Sequence, residues 1–325
     1  MSGVVPTGSL SVVVPIKDEI ETLPELVRRL ESVLVGELAG SEVVFVDDGS
    51  DDGSARWIAE LHERDRRFKL VRLSRNFGHQ AAVTAGLAHA RGDAVVLMDG
   101  DLQDPPELIP ELVARWRAGN EIVHTVKTRR KESLPRRIAF RAFYRVMHAA
   151  SETEMPLQSG LFSLLDRRVV DQLDAMPERN RYLAGLRAWV GFRQTAVDYE
   201  RDARWSGAPR VSVARLFRLA FDGIFSFSNL PLRLATMLGL FVSLAAFLLM
   251  ATILYLKLFT DRAILGWASL MTTTLFLGGV VLVTIGIIGE YVGRIYDEVK
   301  RRPLFIVAER VGIEERRLEG ADRRL

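Results

Sequence analysis

The sequence predicts an α/β domain built on a mostly parallel sheet, followed by two helices long and apolar enough to cross a membrane. Two observations carry the first part. Short apolar runs alternate with segments of helical period, and three of those runs end in acidic turns. A third observation carries the second part: two stretches of 23 and 27 residues near the end of the chain hold no charge. Strand–helix alternation with near-continuous apolar strands points to a parallel sheet covered on both faces.

Leu10 to Pro15 reads as the first strand, and Thr22 to Val35 repeats apolar residues at helical spacing. Glu42 to Val46 is a second strand, Ser54 to Arg66 a helix and Lys69 to Leu73 a third strand. Gln80 to Ala90 is a small-residue helix that Arg91-Gly92-Asp93 ends. Ala94 to Met98 is a fourth strand, and Pro106 to Arg117 a helix opened by proline. Glu121 to Val126 is a fifth strand. The tail after Pro303 is charged and is expected to be peripheral.

The uncharged stretches are Leu234 to Leu256 and Ala263 to Gly289, the second helix being placed over 265–289. At ~1.5 Å per residue each spans a hydrocarbon core of ~30 Å. Buried core helices are the alternative, but uncharged soluble helices of this length are rare. The flanks carry Arg215, Arg218, Arg233, Arg294, Lys300, Arg301 and Arg302, against only Lys257 and Arg262 between the spans. That asymmetry places both flanks in the cytoplasm. Met1 to Ser9 lacks the basic start and apolar core of a signal peptide, so a cytoplasmic N-terminal domain at the cell membrane is expected. The domains expected are 1–209 (catalytic), 210–230 (an amphipathic interfacial helix), 231–292 (the hairpin) and 293–325 (a cytoplasmic tail). Packing of the amphipathic segment on the catalytic domain is its other reading.

Composition narrows the chemistry. Mean hydropathy is +0.11, high for a wholly soluble chain. Cysteine is absent, which excludes disulfide scaffolds, thiolate zinc sites and cysteine nucleophiles. A net charge of +3 is not that of a nucleic-acid coat, and no nucleic-acid partner is expected. The basic residues are 38 Arg against 6 Lys. Genome base composition produces such a skew, and so does phosphate recognition by guanidinium forks.

Ligands of open parallel sheets bind beyond the carboxyl ends of the strands. Three polar clusters fall there: Pro15-Ile16-Lys17-Asp18-Glu19, Val46-Asp47-Asp48-Gly49-Ser50-Asp51-Asp52, and Asp99-Gly100-Asp101-Leu102-Gln103-Asp104. One such cluster alone is as well explained as an acidic helix-capping turn. Asp99 and Asp101, alternating along an extended segment, can hold a hard divalent cation shared with phosphate oxygens, and the glycine between them is expected to let a bulky ligand approach. No Gly-x-x-x-x-Gly-Lys-Ser/Thr loop occurs, which excludes a P-loop nucleotidase, and the five histidines lack metal-ligand spacing.

With Arg75-Asn76-Phe77-Gly78 and Asp-Gly-Asp-Leu-Gln-Asp-Pro-Pro-Glu added, these motifs resemble the inverting nucleotide-sugar glycosyltransferases of the GT-A fold. Further matches are Leu164-Leu165-Asp166-Arg167-Arg168, Glu178-Arg179-Asn180-Arg181, Trp189-Val190-Gly191-Phe192-Arg193 and Phe221-Asp222-Gly223-Ile224-Phe225-Ser226. The chain is similar to the polyprenyl-phosphate group, which includes dolichol-phosphate mannose synthases and bactoprenol glucosyltransferases, over about residues 10 to 303.

The resemblance implies roles. Pro15, Glu19, Asp47, Asp48, Gly78 and Gln80 would hold the nucleotide sugar. Asp99 would contact nucleotide and metal, with Asp101 and Gln103 on the metal side, the metal being Mg²⁺ or Mn²⁺. Between Lys127 and Arg145 stand eight basic residues and one acid, with Arg137, Arg141 and Arg145 recurring every four residues as one helix stripe. A solvated or headgroup-facing stripe is the plain reading. The family pattern makes Arg129 and Arg141 acceptor-phosphate contacts, with Arg137, Arg145 and Arg204 beside them. The bactoprenol enzymes carry Gly-Asp-Phe-Arg-Leu preceded by a further acid where this chain has Gln158-Ser159-Gly160-Leu161-Phe162-Ser163-Leu164. Two acids are replaced, and serine stands in the place of the arginine. The expected activity is transfer of a hexose from UDP-glucose to polyprenyl (undecaprenyl) phosphate, giving a β-linked product. GDP-mannose is the alternative donor, and a non-catalytic membrane partner or lipid-sugar carrier the alternative class. The Gln-x-x-Arg-Trp motif of processive synthases is absent. Homo-oligomerisation is left open.

Overall fold

A computed structural model describes residues 8–127, 159–176, 178–179, 181–199, 230–259 and 266–314. Arg129, Arg137, Arg141, Arg145, Arg204, Gln158 and the amphipathic segment at 210–227 lie outside the described residues. Two compact units make up the chain; one holds the sheet and the other the two long apolar helices.

The five predicted strands form as β1 (Leu10–Ile16), β2 (Glu42–Asp47), β3 (Phe68–Leu73), β4 (Ala94–Leu97) and β5 (Ile122–Lys127). Between them run α1 (Leu23–Val33), α2 (Ser54–Arg64), α3 (His79–His89) and α4 (Ile109–Arg117). A 3₁₀ turn over Pro106–Leu108 leads into α4. Then follow β6 (Ser159–Asp166), α5 (Arg167–Ala175), α6 (Leu183–Trp189) and β7 (Gln194–Tyr199). Asp166 caps α5 by accepting from the Arg168 N–H at 3.0 Å. It also takes the indole N–H of Trp116 at 2.8 Å, which fastens α4 to the same corner.

Among the described residues these seven strands and β8 (Val307–Val311) form one sheet in the order β7-β5-β6-β4-β1-β2-β3-β8. The parallel expectation holds for the centre, where β1 pairs with β2 and β4, and β2 with β3. Antiparallel pairing enters on either side: β6 runs antiparallel to β4 and β5, and β8 to β3. The strand β8 comes from the tail expected to be peripheral. Val311 lies opposite Leu70, and the Ser74 N–H donates to the Ile306 carbonyl at 2.9 Å. Alternation is weak in β8, and only its hydrogen-bonding partner on the open edge of β3 makes it a strand.

One face of the sheet packs Val12, Val14, Phe45, Leu70, Val96 and Phe162 against Leu26 and Leu30 of α1, Ile58 of α2 and Leu112 and Trp116 of α4. Phe45 and Phe68 stack with centroids 6.3 Å apart. Each such fully buried side chain contributes roughly 1.5–3 kcal/mol. This packing holds the strand ends, and the loops that leave them, at one edge.

The second unit holds α7 (Leu230–Phe259) and α8 (Trp267–Val299), of 30 and 33 residues. Ala235–Thr252 in α7 has a mean hydropathy of 2.1, as does Thr272–Val299 in α8. Both are long and apolar enough to cross a membrane, and their large side chains are exposed, Phe241 and Leu282 each to 71%.

Candidate active site

All three acidic clusters follow strands that run in the same direction, so they meet at one edge. Leu97 lies opposite Ser163 in the antiparallel β4–β6 pair, so the start of β6 belongs to that edge too. The carboxyl ends of β5 and β7 join it through the Lys127–Tyr199 pairing.

Backbone and side-chain bonds sew the clusters together. Pro15 is buried in β1, opposite Val46. The Asp18 N–H donates to Ser50 Oγ at 2.9 Å, and the Asp51 N–H to Asp18 Oδ1 at 3.0 Å. Lys17 Nζ donates to the Gly49 carbonyl at 2.9 Å. Half-buried Glu19 accepts from Thr22 Oγ1 at 3.2 Å, and the same hydroxyl lies 3.2 Å from the Gly100 carbonyl. The first cluster is thereby tied to both others.

Asp47 and Asp48 differ in use. Asp47 is fully buried; its Oδ1 accepts from the Ser50 N–H at 2.9 Å. Its Oδ2 has no hydrogen-bond partner and faces Arg72 Nε of β3 at 3.5 Å. Asp48 accepts from two backbone N–H groups, Phe77 at 2.7 Å and Gly78 at 2.9 Å. Burial pushes the Asp48 carboxyl above its ordinary range, and those two bonds pull against it. The pair of bonds pins the Arg75–Gly78 loop over the end of β2. Gln80, in the first turn of α3, uses its Oε1 to accept from the Leu183 N–H at 3.2 Å, which joins α3 to α6.

The third cluster departs from the expected extended form. The chain bends from Gly100 through Leu102, and Leu102 sits at φ 59° with its side chain buried. A non-glycine residue there costs roughly 1–3 kcal/mol. Gly100 does not make room for a ligand. A Cβ on it would lie 2.9 Å from Ile16 Cγ2 and 3.3 Å from the Pro15 carbonyl oxygen, so the glycine is needed for packing against β1. Asp101 Oδ1 accepts from the Gln103 N–H at 3.2 Å, and His79 Nε2 lies 3.5 Å from Asp99 Oδ1.

Among the described residues no group of three or more His, Asp or Glu gathers at metal distance. Two carboxylates fit the kind of hard cation that keeps waters and completes its shell with substrate phosphate oxygens, such as Mg²⁺ or Mn²⁺.

Residues 11–174 match the model of glycosyl transferase family 2. The chain belongs to that family. It is 45% identical to the glycosyltransferase YkcC of Bacillus subtilis over 95% of this chain and 96% of the relative. It is 39% identical to the SfII prophage-derived bactoprenol glucosyl transferase of Shigella flexneri over 92% of this chain and 97% of the relative. Among solved structures, a mannosyltransferase of Pyrobaculum calidifontis, in complex with GDP-Man and Mn²⁺, is 18% identical with a TM-score of 0.43. That likeness covers 85% of this chain and 86% of the other. The mostly parallel α/β architecture is GT-A-like, as expected.

Several polar residues at this candidate site escaped the sequence reading. Tyr199 donates its hydroxyl to Asp104 Oδ1 at 2.7 Å, from a strand not predicted, and Asp104 is only 1% exposed. His79 was legible only as the neighbour of Gly78. Arg187 of α6 and His124 of β5, next to Ser163 of β6, are both buried and carry no local signal.

Proposed function

We propose that this chain transfers a hexose, glucose from UDP-glucose, to polyprenyl phosphate with inversion at the anomeric carbon. The observation that carries this is the convergence of Asp47, Asp48, Asp99 and Asp101 at one sheet edge. It is supported by 39% identity, over nearly the whole chain, to a bactoprenol glucosyl transferase. Pro15, Glu19, Asp47, Asp48, Gly78 and Gln80 hold the nucleotide sugar. Asp99 and Asp101, with Gln103 beside them, would hold a divalent cation, which would supply positive charge against the leaving diphosphate.

The acceptor phosphate is bound by Arg129, Arg137, Arg141, Arg145 and Arg204. The segment bearing Arg129, Arg137, Arg141 and Arg145 leaves β5 at Lys127 and returns at Ser159, which is paired with Val126. The segment bearing Arg204 leaves after Tyr199, opposite Lys127. Both segments therefore start from the edge that holds the acids. A phosphate monoester has a second pKa of about 6, so it is largely ionised at neutral pH. It attacks without a general base, which suits a chain with Leu161 where the bactoprenol pattern has an acid. The mannose synthases share that replacement, which keeps GDP-mannose as the second donor to test.

Membrane attachment is supported by α7 and α8 and by connectivity. The chain leaves the sheet before α7 and rejoins it as β8 after α8. Two helices whose outer ends return to one sheet cross a bilayer an even number of times, leaving sheet and flanks on one side, the cytoplasmic one by charge.

The deciding assay combines purified protein, polyprenyl phosphate, Mg²⁺ or Mn²⁺ and a panel of nucleotide sugars. The expected product is a β-linked lipid sugar from the α-linked donor, with activity falling at acid pH as the acceptor protonates. An α-linked product, read by NMR, refutes inversion. No transfer with any donor refutes the function.

A further inference from the structure

Arg187 sits on the short helix α6 and is 4% exposed. Its Nη2 donates to the Gly160 carbonyl at 2.8 Å, and its Nη1 to Ser163 Oγ and, at 3.4 Å, to the Leu161 carbonyl. Burial pushes its pKa down to about 10, so it remains a cation at neutral pH. Across β6, His124 lies opposite Ser163 and is 8% exposed. Burial first, and the Arg187 charge second, hold His124 below its ordinary value, so it stays neutral beside the guanidinium. A buried cation is tolerated only where its donors are well used. Here they are spent on the carbonyls at which β6 begins.

That place adjoins the candidate site. Leu97 pairs with Ser163, and two residues further along the two strands stand Asp99 and Leu161. The same carbonyls close the arginine-rich segment, which re-enters the sheet at Ser159. Ser163 occupies the position at which the bactoprenol pattern carries arginine, and the Arg187 guanidinium reaches its hydroxyl from the neighbouring helix. In this chain a cation reaches that cluster from α6.

We propose that Arg187 is a positioning residue of the acceptor side, replacing the strand arginine and holding the entry of β6 beside Asp99. It acts through Gly160 and Leu161 rather than on substrate. The acceptor part of this inference rests on the function proposed above; the exchange of positions 163 and 187 does not.

Four full-length variants test it: Arg187→Met, Arg187→Lys, Ser163→Arg, and the double Ser163→Arg with Arg187→Val. Donor affinity, measured by titration with the nucleotide sugar, should stay within about twofold throughout, because Pro15, Glu19, Asp47 and Asp48 stand on or after β1 and β2, which do not pair with β6. For folded Arg187→Met, the acceptor kcat/KM should fall about ten- to a hundredfold, the cost of losing charge-assisted bonds at a buried site. Arg187→Lys should retain part of the activity. Ser163→Arg alone places two cations in one cluster and should lower both Tm and activity. The double variant should recover Tm and acceptor kinetics relative to Ser163→Arg and Arg187→Met. A double variant no better than either single overturns the proposal, as does a folded Arg187→Met with wild-type acceptor constants. If Arg187→Met does not fold, Arg187→Lys and the double decide. If the wild type itself fails to use polyprenyl phosphate, the function falls, and recovery of Tm in the double variant decides the exchange.

Discussion

The two edges of the sheet handle charge in opposite ways. At the edge where β1, β2 and β3 begin, carboxylates are matched to donors. Glu42 takes Lys69 Nζ and Ser11 Oγ, both at 2.5 Å, and the Arg91 N–H at 2.7 Å. Burial opposes ionisation of Glu42, but these bonds together hold its carboxyl below the usual range. Asp65 is held down chiefly by Arg67, 2.7 Å away. At the other edge acids crowd together: Asp18, Asp47, Asp48, Asp99, Asp101 and Asp104. There burial pushes Asp48 up, and Asp18 and Leu102 hold positive φ. An edge whose acids find their partners within the chain serves the fold. The edge whose acids are gathered and strained is the one on which the proposed function places the nucleotide sugar and its cation.

The contrast can be broken from either side. The largest effect is expected for Asp101→Asn, which should lower transfer by about a thousandfold, since metal-side charge is worth several kcal/mol in the transition state. Its Tm should barely move; a folded variant with near wild-type turnover would falsify the metal-side role. Next come Arg129→Ala and Arg141→Ala, each expected to lower acceptor kcat/KM by about ten- to a hundredfold while donor affinity holds. A loss of donor affinity with unchanged acceptor kinetics would mean that donor and acceptor sides are exchanged.

Glu42→Gln should do the reverse of Asp101→Asn. It should cost about 1–3 kcal/mol of stability and leave kcat/KM of the folded enzyme unchanged. The sign in pH follows from the direction of the shift. A carboxyl held low in the fold adds stability above its unfolded value, and that stability is lost as pH falls through the folded value. Denaturation of the wild type across pH 3–6 should therefore show a steeper acid limb than the variant. Asp48 works against this trend, because its raised value makes ionisation cost stability that acid restores.

The smallest effect is expected at the tail. Gly312 has φ 73°, and a Cβ on it would lie 2.2 Å from His62 Cε1. Gly312→Ala should loosen β8 at a cost of roughly 1–2 kcal/mol. Hydrogen exchange should rise at β8 and β3 first, and faster exchange at β1 instead would place the strand's contribution elsewhere.

Local chemistry was enough for much of this molecule. β1 to β5 were legible because a buried parallel strand must be apolar at nearly every position, and turn residues bracket each run. The acidic clusters were legible because the carboxyl ends of parallel strands coincide. The long apolar helices needed only counting. β6, β7 and β8 were not: β6 and β8 run antiparallel beside a parallel core, β7 is an outer strand beside β5, and each is chosen by register with residues far away in the chain. Val311 finds Leu70, and Leu97 finds Ser163, only once the central strands exist. The same reason hid Tyr199 behind Asp104 and Arg187 behind Ser163. A hydrogen bond between side chains 95 or 24 residues apart leaves no periodicity, and a buried cation on a short helix looks like any surface arginine until the fold forms around it.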